Sequence, residues 1–78
     1  MFHVYRSPPH PSHAYTLLGS AETIDGAFRY LPTMLVACDE DEDHPGHFDA
    51  ISEAGTLYSI VPAGSRWTPA RVISRLEA

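Results

Sequence analysis

The sequence predicts a small α+β domain: an antiparallel or mixed β-sheet carrying one central and one C-terminal helix, in the order β-β-α-β-β-β-α. Three observations lead there. Short stretches that alternate apolar and polar residues and favour β-structure recur along the chain. One segment, with Ile24, Ala27, Phe28 and Leu31, has helical spacing instead, and the chain closes on a helix-start pattern at Thr68-Pro69. With 78 residues there is material for one hydrophobic core, so residues 1–78 are read as a single domain.

Phe2 to Arg6 and Ala14 to Leu18 read as two strands, joined by Ser7-Pro8-Pro9-His10-Pro11-Ser12-His13. The three prolines of that connection lack backbone donors and favour extended geometry, which suits a rigid loop. Ser20 offers an N-cap for the central helix, Glu22 and Asp25 sit near its positive end, and Pro32 forces it to end near Leu31. Met34 to Cys38 has no helical period and reads as a buried strand.

His47 to Ser52 and Thr56 to Val61 flank Glu53-Ala54-Gly55, a three-residue hairpin connection that closes on glycine. This register pairs Ala50 with Tyr58 and Phe48 with Ile60 on the core side, leaving Asp49, Ile51, Leu57 and Ser59 on the other face. At the end of the chain Thr68 is the expected N-cap, Pro69 the first helical residue, and Trp67 a hydrophobic staple onto Val72. Arg71 and Arg75 fall one turn apart beside Val72, Ile73 and Leu76.

An apolar fraction of 44% favours a folded chain over a disordered one. No stretch approaches the ~18 apolar residues of a membrane span and no signal-peptide core develops, so a soluble protein is expected. Cys38 is the only cysteine, which excludes an internal disulfide and suits a reducing compartment. A homodimer is the expected way for so short a chain to cover more surface. All five basic residues are arginine, and lysine, asparagine and glutamine are absent, a usage that GC-rich bacterial or phage genomes produce.

Five arginines stand against ten carboxylates, a formal net charge of -5, and a phosphate backbone is held mainly by basic side chains. Direct nucleic-acid binding is therefore not expected. The strongest local feature is Asp39-Glu40-Asp41-Glu42-Asp43, five consecutive carboxylates with no basic residue nearer in sequence than Arg29 and Arg66. Such a run is either a solvated connector between strands or a surface for a basic partner, and Asp49 and Glu53 would extend that surface.

Metal and catalytic chemistry find less support. Asp39, Asp41 and Asp43 have the alternate spacing of the first three ligands of a calcium loop, but His44 replaces its glycine and Ala50 its bidentate glutamate. The pairs His10-Pro11-Ser12-His13 and His44-Pro45-Gly46-His47, with Cys38, hold zinc-type donors, yet each interval contains a proline and the pattern has little specificity. Cys38 leads into carboxylates that raise a thiol pKa and oppose nucleophilic use. No phosphate loop or nucleophile elbow is present, so neither an enzyme nor a cofactor is expected.

In size, acidity, lack of motifs and amino-acid usage the whole chain resembles the anti-CRISPR proteins, inhibitors of phage or mobile-element origin, in particular those directed at multisubunit type I effector complexes. The resemblance implies a protein acting in the cytoplasm of a bacterial host cell, where its carboxylates would occupy a basic DNA-binding surface. The contrasting expectation is a dimeric accessory or regulatory module, with Ile51, Leu57, Trp67, Arg71 and Arg75 at the dimer or partner contact. A small zinc-binding protein is a third.

Overall fold

A computed structural model describes residues 1–7, 14–65 and 72–74. Six strands form one sheet: β1 (Phe2–Arg6), β2 (Tyr15–Ala21), β3 (Leu35–Glu40), β4 (Phe48–Ser52), β5 (Leu57–Pro62) and β6 (Val72–Ser74). Among the described residues a single short helix, α1 (Ile24–Phe28), follows β2. The order across the sheet is β3-β4-β5-β1-β2-β6, with every neighbouring pair antiparallel except β2 and β6.

The N-terminal strand is thus an inner strand, and its sequence explains why. Val4 is fully buried, paired with Ile60 of β5 on one side and Gly19 of β2 on the other. Val4, Ala27 and Ile60 form the centre of the core, with Phe2, Leu18, Ala21, Ile24, Phe28, Leu31 and Phe48 packed around them. Phe28 meets Phe48 edge to face at 5.3 Å, which ties α1 to the β4 side of the sheet. Burying Val4 or Ile60 contributes roughly 1.5–3 kcal/mol each, and Ile60 is the largest fully buried side chain among the described residues, so truncating it opens a cavity at the centre of this core.

The hairpin of β4 and β5 has the expected register, with Phe48 opposite Ile60 and Ala50 opposite Tyr58. Alternation leaves Asp49 opposite Ser59 and Ile51 opposite Leu57 on the other face. Gly55 closes the turn at φ +85°, where a side chain would be strained, and its N–H donates to Ser52 O at 2.9 Å.

The expected α+β architecture with two helices is overturned: the described residues form a mostly antiparallel sheet with one five-residue helix. Where the second helix was expected, Val72–Ser74 instead pairs in parallel with Tyr15–Leu17. Val72 and Ile73 are β-branched and favour a strand, and β2 offers them backbone partners there. The expected cap at Thr68 and staple at Trp67 lie outside the described residues.

The central helix is also shorter than its pattern. Ser20 and Ala21 are held in β2 by pairing with His3 and Phe2, so the N-cap falls on Thr23, whose Oγ1 accepts from Gly26 N–H at 3.1 Å. Tightened bonds from Tyr30 N–H to Ala27 O and from Leu31 N–H to Phe28 O, 3.1 and 3.0 Å, close it before Pro32.

A further correction concerns β3, expected as a buried strand. It is the outermost strand, half-buried at Leu35 and exposed from Val36 through Glu40. An apolar run with β-propensity forms a strand wherever pairing is available, and here the available position was an edge. Among the described residues no helix is long and apolar enough to cross a membrane.

Candidate functional site

The acidic run is not a loop throughout. Asp39 and Glu40 belong to β3, and only Asp41, Glu42 and Asp43 enter the turn toward β4. That turn is closely hydrogen-bonded. Asp41 N–H donates to His47 O at 2.8 Å, Asp43 N–H to the Asp41 carboxylate at 2.8 Å, and Gly46 N–H to the Glu40 carboxylate at 2.9 Å. His47 N–H to His44 O, at 3.0 Å, completes the winding.

The carboxylates therefore divide by role. Glu40 and Asp41 fold back and hold the turn, whereas Asp39, Glu42 and Asp43 are exposed and accept no hydrogen bond from a described residue. The Asp41 carboxyl is held below the usual aspartate range, first by the Asp43 N–H and then by His44, whose Nδ1 lies 3.3 Å away. Gly46, at φ +86°, lets the turn lie against the end of β5: a Cβ there would come within 2.9 Å of Pro62 Cγ.

Asp49 joins this group from β4. It stands directly opposite Asp39, accepts from Ser59 Oγ at 2.9 Å, and lies 3.3 Å from Nε2 of the buried His47. Among the described residues no arginine pairs with any of these carboxylates. Glu40, Asp41, Glu42 and Pro45 line an open recess of about 350 Å³, so charge of one sign faces a concave surface.

The remaining expected residues are more scattered. Glu53 sits in the turn at the opposite end of β4, about 13 Å of strand beyond Asp49, and does not join the acidic group. Ile51 is half-buried and Leu57 exposed, side by side on the face opposite the core. Trp67, Arg71 and Arg75 lie outside the described residues.

Cys38, expected at a buried strand end, is exposed. Its thiol is pushed up, first by partial desolvation and then by Asp39 and Asp49, which leaves little thiolate near neutral pH. Among the described residues no three histidine, cysteine, aspartate or glutamate side chains converge as metal ligands. His44 and His47 lie with ring centroids 6.2 Å apart, and His10 and His13 are outside the described residues.

Two features escaped the sequence pattern. Met34 and Val36 are 61% and 68% exposed although their run reads as core, and His47, read as the polar start of a strand, is buried. Strand order decides the first and the winding of the turn the second, and neither is encoded in local periodicity. No family model, curated protein or solved structure matches this chain.

Proposed function

We propose that this protein is a small acidic binding protein that docks on the basic surface of a nucleic-acid-handling complex and keeps nucleic acid off it. The observation that carries this reading is the corner of the sheet where Asp39, Glu42, Asp43 and Asp49 present negative charge with no arginine beside them among the described residues. Free of partners, such a cluster is a source of repulsion; against arginine and lysine it becomes a source of binding energy. The hydrogen-bonded turn fixes the backbone at Glu42 and Asp43, so ordering it on a partner costs less entropy than ordering a flexible acidic tail.

Opposite net charge steers encounter, and the groove that normally tracks phosphates is filled by carboxylates. A type I CRISPR effector is the target that the overall profile of the chain suggests. The test is direct: add the protein to a purified type I effector with its duplex DNA and follow DNA binding as salt is raised. Displacement of DNA at low salt, weakening as salt screens the contact, supports the reading. Undiminished DNA binding at a large excess of protein refutes that target.

A second reading, a dimeric accessory module, is favoured by one specific observation. Leu57 is 50% exposed and sits opposite Ile51, so two apolar side chains share an uncovered patch.

A further inference from the structure

Strand β3 combines three properties that native edges usually avoid. It is six residues long, it contains neither lysine nor proline, and its apolar residues are in the open: Val36 is 68% exposed, and Ala37 and Cys38 are exposed with it. The apolar run Leu35 to Cys38 would suit an interior strand, yet its position in the sheet is peripheral; a register irregularity between Leu35 and Ala37 and the carboxylates of Asp39 and Glu40 are what guard this edge. A strand with that composition at an edge is suited to gaining one more neighbour.

The backbone geometry shows which groups await it. Asp41 N–H bonds to His47 O, one half of a hydrogen-bonded pair beyond the end of the ladder, since the His47 N–H turns to His44 O. Pairs alternate along antiparallel strands, so Asp39 and Asp49 form the next hydrogen-bonded pair, and the N–H and C=O groups of Cys38 and Glu40 point away from β4. Two outward donor and acceptor sets, about 7 Å apart, are thus offered at the open edge.

Charge selects the occupant. Asp39 and Glu40 lie on opposite faces of β3 at its C-terminal end, and Asp39 is already opposed by Asp49. Two successive cations in the next strand would place one against Asp39, relieving that opposition, and one against Glu40 on the other face. A second copy of β3 would not: residues 33–43 contain no lysine or arginine, so an antiparallel β3–β3 pair would press each copy's carboxylates against apolar residues without a counter-charge.

We propose that β3 is the docking edge for an extended basic segment of the partner protein, added antiparallel as a further strand. Its arginine or lysine side chains lie against Asp39 and Glu40, and its small apolar side chains lie against Val36 and Cys38. This rests on the acidic-binding reading above and supplies its mode of contact.

Three probes and two variants test it. The first probe is a capped six-residue peptide with two arginines followed by alternating valine and threonine; the second is spermine, which carries positive charge and no peptide backbone. Cys38→Pro removes an outward N–H while sparing the ladder to β4, and Cys38→Ser keeps that N–H. The peptide should bind the wild type and Cys38→Ser alike and Cys38→Pro about tenfold more weakly, whereas spermine should bind all three alike. In the wild type, the peptide should slow amide hydrogen exchange at Cys38 and Glu40 and spermine should not.

Equal peptide binding by Cys38→Pro and Cys38→Ser, failure of the peptide to bind, or unprotected amides at Cys38 and Glu40 in the bound wild type would overturn strand addition. If Cys38→Pro does not fold, exchange in the wild type decides alone. Spermine binding that persists in any of those cases leaves the acidic reading standing, and its absence together with salt-insensitive peptide binding removes that reading instead. The third probe is the protein itself: a dimer in sedimentation that Cys38→Pro abolishes and Cys38→Ser retains puts a second copy on the edge, and overturns the proposal.

Discussion

Asp39 and Asp49 stand directly opposite each other across β3 and β4, and the only described side chains bonded to either are Ser59 and His47, both on Asp49. Like charges in that relationship destabilise a sheet. Asp39→Asn should therefore raise the urea midpoint at low salt by the equivalent of a few tenths of a kcal/mol, with the gain shrinking as salt is added. A lower midpoint in Asp39→Asn would show that the pair is compensated.

Asp41 ties the turn to pH. Its folded pKa is depressed, so the stability it contributes is fully present above the unfolded value near ~3.9 and is lost as pH falls through the folded value. Wild type should thus be more stable than Asp41→Ala at neutral pH, and the gap should narrow below about pH 4. Thermal midpoints of both proteins across the acid range check this, and a gap constant with pH would contradict it.

Gly55 and Gly46 share a positive φ but differ in surroundings. Nothing lies near a Cβ at Gly55, whereas one at Gly46 would meet Pro62 Cγ at 2.9 Å. Gly55→Ala should lower stability by about 1 kcal/mol from backbone strain alone, and Gly46→Ala by more, because Pro62 or the acidic turn must also shift. Equal losses in chemical denaturation would mean that the turn does not rest on β5.

The patch of Ile51 and Leu57 predicts self-association at micromolar concentration. Leu57→Asp should shift the sedimenting species toward the 8.6 kDa monomer with little change in stability, since Leu57 is half exposed. A monomer in both proteins removes the dimeric reading.

Period-two patterns made much of the sheet legible in the sequence. Phe2–Arg6 falls as expected, and the pairing of Ala50 with Tyr58 and Phe48 with Ile60 follows from a three-residue turn closed by Gly55. What the pattern could not convey was strand order. An apolar run such as Met34 to Cys38 looks the same in the centre of a sheet or at its edge, and Val72 to Ser74 could satisfy its backbone in a helix or beside β2. The acidic cluster was legible as composition, but the division between Glu40 and Asp41, which hold the turn, and Asp39, Glu42 and Asp43, which do not, depends on how the chain winds before His47.

That division sets the most direct measurement. Asp39→Asn, Glu42→Gln and Asp43→Asn combined remove the outward charges and leave the carboxylates of Glu40 and Asp41 in place. Calorimetric titration with a hexa-arginine peptide, repeated from about 50 to about 300 mM salt, compares this variant with the wild type. Binding by the wild type should weaken with salt, and the variant should bind at least about tenfold more weakly at the lowest salt with folding retained. Wild-type and variant affinities that coincide across that range would contradict the acidic-binding reading.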